Sequence, residues 1–125
     1  MAFVVEVERR FDAAQGLLSP VREEFGMPRI AAGRTVAFVL TVGVTFTDDQ
    51  LTEAGYAFDT DLTARTVDVW CETLSGSRWT ELFGFRPTLE LVTRHLYRQM
   101  SATIAHLAFV QLRDVGFGVL TRYTP

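Results

Sequence analysis

Between Phe3 and Phe11 the apolar residues Phe3, Val5, Val7 and Phe11 alternate with Glu6, Glu8 and Arg10, a period of two that predicts a strand with one buried face. Arg9 interrupts the apolar side. Thr35 to Phe46 carries the same alternation furthest, through Val36, Phe38, Leu40, Val42, Val44 and Phe46. Its other face, Ala37, Val39, Thr41, Gly43 and Thr45, is small and partly apolar, as expected where both sides of a sheet are covered. Between these strands, Gly16 to Gly33 holds three glycines, two prolines and mixed charge, which predicts irregular chain with at most a short turn around Val21 to Phe25. After the polar turn Thr47-Asp48-Asp49-Gln50, Gly55 to Asp59 reads as a short third strand.

From Leu62 to Leu74 the period lengthens to a helical one, with Val67, Trp70, Cys71 and Leu74 on one face. A second helix is predicted to start at Arg86-Pro87-Thr88, because proline suits a first turn, Thr88 can cap it and Glu90 complements the positive end of the dipole. Its buried stripe, Leu89, Val92, Leu96, Met100, Thr103 and Ile104, carries it to about His106. Phe109 to Asp114 and Gly118 to Tyr123 then close the chain as two strands joined through Val115-Gly116-Phe117. Helices segregated from antiparallel strands define an α+β domain.

A length of 125 residues fits one domain spanning residues 1–125. The net charge of -3 lacks the basic excess of a nucleic-acid binder, so no nucleic-acid partner is expected. No apolar run approaches the ~18 residues of a membrane span, and the N-terminus lacks a secretory pattern. The expectation is a cytoplasmic protein with no membrane partner. A lone cysteine, Cys71, forms no internal disulfide and supplies no cysteine pair for structural zinc. The apolar second face of the sheet predicts a homo-oligomer.

Five stretches then acquire a common meaning: FDAAQ (11–15), MPRIAAG (27–33), LSGSRWT (74–80), PTLE (87–90) and RDV (113–115). In this order and spacing the chain resembles the 6-pyruvoyltetrahydropterin synthase and 6-carboxytetrahydropterin synthase family, whose members read F-x-A-A-H, C-x-x-x-H-G-H, L-D-H-x-x-L-N, P-T-x-E and E-T at these places. The resemblance implies the tunnelling fold (T-fold), an antiparallel four-stranded sheet with two helices on one face. Trimers of that fold close a twelve-stranded β-barrel and often stack into a hexamer. It also implies a pocket between subunits where a carboxylate accepts two N–H bonds from the edge of a pterin.

The departures bear on the chemistry. The positions of the three zinc-binding histidines are occupied by Gln15, Ala31 and Gly33, so no metal and no other cofactor is expected. Met27 stands at the catalytic cysteine and offers no exchangeable proton; Ser75 and Gly76 stand at the Asp-His pair. The recognition half is kept in Thr88, Glu90 and Asp114, the last one methylene shorter than the family's glutamate. With Gln15, and with Arg34 and Arg78 beside the vacated positions, these are the candidate substrate-binding residues; the catalytic residues are unknown.

Each also has a plain structural role open to it: Glu90 and Thr88 as helix starters, Asp114 as a turn residue, the arginines as solvated surface. His95 and His106 lie eleven residues apart, roughly 16 Å of rise on one helix, and do not share an ion within a subunit. Cys71 reads as a buried thiol, and Tyr56, Trp70 and Trp79 as core or interface aromatics. The favoured function is binding of a pterin-like or other planar heterocycle between subunits, with zinc-independent lyase or cyclase chemistry. The alternatives are a non-catalytic binding or scaffold protein, in which Phe25, Met27 or Trp79 would fill the pocket, and the ordinary zinc lyase with ligands such as Asp12, Gln15 and a neighbour's His106.

Overall fold

A computed structural model describes residues 2–17, 24–27, 33–53, 55 and 58–125. Strand β1 (Ala2–Ala13) is followed by β2 (Val36–Thr47), a 3-10 turn (Asp48–Gln50), helices α1 (Thr60–Gly76), α2 (Trp79–Leu82) and α3 (Leu89–Met100), then β3 (Leu107–Asp114) and β4 (Val119–Tyr123). The strands form one antiparallel sheet in the order β1-β2-β3-β4, so among the described residues β1 and β4 are its two edges. The architecture is α+β, as the periodicities predict.

Register explains which side chains the helices cover. Val7 pairs with Val42 and Val42 with Val110; Phe11 pairs with Phe38 and Phe38 with Asp114. Side chains alternate across a strand, so Phe3, Val5, Val7, Arg9, Phe11 and Ala13 share a face with Phe38, Leu40, Val42, Val44 and Phe46. Against that face α1 buries Thr63, Val67, Cys71 and Leu74, and α3 buries Val92, Thr93, Leu96 and Met100. Arg9 lies on the same face at its rim, where its Nε meets Asp68 of α1 at 2.8 Å. The break in the apolar pattern of β1 is therefore a tie to α1.

On the opposite face of the sheet, Gly43 of β2 opposes Phe109 of β3 at a register shift. The Phe109 ring occupies the space a side chain at position 43 would need, and the Arg122 guanidinium stacks 4.0 Å from its centroid. The alternating small residues of β2 thus accommodate a large ring from the next strand. Thr41, on this face, is buried with no hydrogen-bond partner for its hydroxyl among the described residues.

Three expectations are corrected. Gly55, Phe58 and Asp59 do not form a strand: the Asp59 side chain accepts the Leu62 N–H as the cap of α1, and Phe58 packs against Phe46 at 5.7 Å between centroids. Tyr56 and Ala57 lie outside the described residues, as does most of the turn expected at Val21 to Phe25. Helix α3 stops at Met100 rather than near His106. Ser101 to Ala105 unwind through turns, and His106 adopts a positive φ of 62° while its carbonyl accepts the Thr45 N–H. That reversal starts β3 two residues earlier than predicted and leaves Thr103 exposed, although Ile104 stays buried. Finally, α2 was not foreseen; it carries the fully buried Trp79 against Phe38, with ring centroids 4.8 Å apart. No helix among the described residues is long and apolar enough to cross a membrane.

Candidate functional site

The corner after β1 is small because two other segments cross it. Trp79 donates its backbone N–H to the Ala14 carbonyl at 3.0 Å. Gly16 has a φ of 80°, where L side chains are disfavoured, and a Cβ there would lie 2.7 Å from the Thr80 hydroxyl oxygen. Between them, Gln15 donates from Nε2 to the Pro87 carbonyl at 2.8 Å, joining the corner to the chain that enters α3.

Beside this corner Gln15, Gly16, Leu17, Arg34, Val36, Asp114 and Phe117 line a cavity of about 50 Å³. Three of the six candidate binding residues, Gln15, Arg34 and Asp114, therefore meet from three separate stretches of sequence. The sequence pattern places Phe117 only in the connection between the last two strands. The turn that brings it here follows from Asp114, whose Oδ1 accepts the Phe117 N–H at 3.1 Å and whose carbonyl accepts the Gly118 N–H. Asp114 is 8% exposed, and its second carboxylate oxygen has no hydrogen bond among the described residues.

The other three candidates do not line this cavity. Thr88 caps α3, its hydroxyl accepting the Leu91 N–H at 3.2 Å, and Glu90 is an exposed first-turn residue. Arg78 precedes α2, with its guanidinium beside Gly33: a Cβ on Gly33 would lie 3.8 Å from the Arg78 Nε.

A zinc ion does not fit this donor set. Gln15 could offer only its amide oxygen, a weak single ligand, and Gly33 offers none while the Arg78 guanidinium lies beside it. Ala31 lies outside the described residues, and among those described no three His, Cys, Asp or Glu side chains could share a metal. Asp12 is exposed on the sheet face away from the helices, whereas His106 sits at the entry to β3. Cys71 is buried; desolvation, then the nearby Asp68 charge, push its pKa up to about 11, against a smaller opposing effect of Arg9. Such a thiol is a weak nucleophile at neutral pH. Phe25 and Met27 are exposed and Trp79 is in the core, so none of them lines the cavity.

Over 100% of this chain and 96% of its own, the structure of 6-pyruvoyl tetrahydropterin synthase from Caenorhabditis elegans superposes with a TM-score of 0.77 at 16% sequence identity. The chain thus has the subunit fold of that synthase, the T-fold. No family model matches the sequence, and no curated protein matches it significantly.

Proposed function

We propose that this chain is a divergent 6-pyruvoyltetrahydropterin synthase-like protein that binds a pterin-like or other planar heterocycle between subunits without zinc, and that any reaction there is of the lyase or cyclase type. The observation that carries the reading is the convergence of Gln15, Arg34 and Asp114 on one cavity. Asp114 supplies a carboxylate with an oxygen to spare for the N–H groups of a heterocycle edge, and Arg34 supplies a cation for an oxo or acidic substituent. The full-length likeness to a solved synthase is consistent with this assignment.

A cavity of about 50 Å³ holds little more than a water molecule, so a bicyclic ligand requires a second copy of the chain to complete its walls. Both sheet edges offer surface for that copy. Phe3 and Val4 are exposed on β1, and Val119 and Leu120 on β4. On the face away from the helices, β1 carries Glu6, Glu8 and Asp12 beside Arg10, whereas β3 and β4 carry Arg113 and Arg122. Charge of opposite sign on the β1 side and on the β3–β4 side of this face favours head-to-tail pairing.

The test is a calorimetric titration of metal-analysed protein with neopterin, repeated on Asp114→Asn. Asparagine retains the oxygen that accepts the Phe117 N–H, so the turn survives while the charge is lost. Metal-free binding weakened about tenfold or more by the substitution is expected. No binding, or equal binding by the variant, would sink the proposal. A second reading, a non-catalytic scaffold, has its own support: Gln15, Thr88 and Asp114 each already make a structural hydrogen bond.

A further inference from the structure

The helical layer carries a second opening that shares no residue with the cavity around Asp114. It measures about 160 Å³ and is lined by Phe85, Leu91, Arg94, His95 and Arg98. The last four stand at i, i+3, i+4 and i+7 of α3, hence on one helix face, offset from the stripe of Val92, Leu96 and Met100 that meets the sheet.

The chemistry of this lining is one-sided. Arg94 and Arg98 are one turn apart, a like-charge spacing that is mildly unfavourable in a helix and that a bound anion would relieve. Neither makes an ion pair among the described residues, and no carboxylate lines the opening. Arg98 lies in the last turn, where the helix dipole favours a cation; Arg94 lies in mid-helix one turn after Glu90, yet the two make no ion pair among the described residues.

His95 adds a third donor. Its ring is held by Trp70, Phe83 and Phe85, at centroid distances of 6.1, 5.3 and 5.3 Å. Neither ring nitrogen has a hydrogen-bond partner among the described residues. Burial, then the Arg98 charge, lower its pKa, so at neutral pH the ring is an uncharged imidazole with one N–H to give.

We propose that this opening binds a small aromatic carboxylate, its ring against Phe85 and Leu91 and its carboxylate held by Arg94 and Arg98 with a hydrogen bond from His95. Guanidinium planes match a carboxylate in two parallel hydrogen bonds. Pockets for drug-sized ligands measure roughly 300–1,000 Å³, so this smaller opening suits one ring rather than two. An inorganic oxyanion would satisfy the arginines and leave the apolar wall unused. The site is independent of the pterin reading, and failure of a neopterin titration leaves it untouched.

The test is an NMR titration of the full chain with benzoate, with inorganic phosphate as the ringless control. Saturable shifts of the α3 amides and the His95 ring are expected with benzoate, with weaker effects from phosphate. The exposed pair Arg94→Gln and Arg98→Gln together should weaken binding by at least about tenfold. His95→Phe, which keeps an aromatic ring among its neighbours and removes the donor, should weaken it less; a purely structural histidine would leave affinity unchanged. Absence of saturation, equal response to phosphate, or full affinity in the double variant or in His95→Phe would overturn the proposal.

Discussion

Gly43 has no side chain, and the Phe109 ring fills the space above it. Gly43→Ala therefore overpacks the sheet and should lower stability by about 2–3 kcal/mol in urea unfolding. Phe109→Ala in the same chain should recover part of that loss, because the two residues contend for one volume and their effects are not additive. Cys71 makes a second prediction at this scale. Its thiol ionises near 9.0 in unfolded chain and near 11 when folded, so deprotonation favours the unfolded state. Stability should fall as pH rises above 9 and level off beyond about 11, with alkylation slow until the chain is unfolded. For His95 the sign is opposite in pH. Its folded pKa lies below 6.5, the unfolded chain takes up the proton first, and stability falls as pH drops through that value. His95→Gln should flatten that part of the acid limb.

Elements differ in how much of their origin is local. Strands β1 and β2 were legible because alternation of apolar residues is all they need, and the capped start of α3 because Pro87, Thr88 and Glu90 act within one turn. The end of α3 was not, since the periodic stripe continues to Ile104 while the backbone reverses at His106 to pair with Thr45, a contact distant in sequence. Gly55 to Asp59 failed for a related reason: Asp59 is more useful to α1 as a cap than to a strand, and capping residues break alternation. Of the candidate site, residue types were legible and their grouping was not. Gln15, Arg34 and Asp114 meet only through the sheet register, whereas the i, i+3, i+4, i+7 spacing of Leu91, Arg94, His95 and Arg98 marks a shared helix face in the sequence itself. The braces between elements are measurable. Thr88→Ala should lose about 1 kcal/mol through its cap, and Gln15→Leu a similar amount by leaving the Pro87 carbonyl without its donor.

At the scale of the whole molecule, the sheet ends in two different strands, and among the described residues each presents unpaired backbone and exposed apolar side chains. Sedimentation of the purified chain should find a closed assembly, and Val119→Lys with Leu120→Glu on β4 should reduce it to single chains; wild-type protein that stays monomeric at roughly tens of micromolar would refute this. If copies pair head to tail as proposed above, each junction joins a β1 to a β4, because the two edges are different strands. Counting then becomes informative. In a ring, chains and junctions are equal in number; in an open row, junctions are one fewer and an unpaired strand remains at each end. Ligand stoichiometry at a site completed by two chains would thus read out topology directly, one per chain for a closed ring and less than one for a row that has not yet closed.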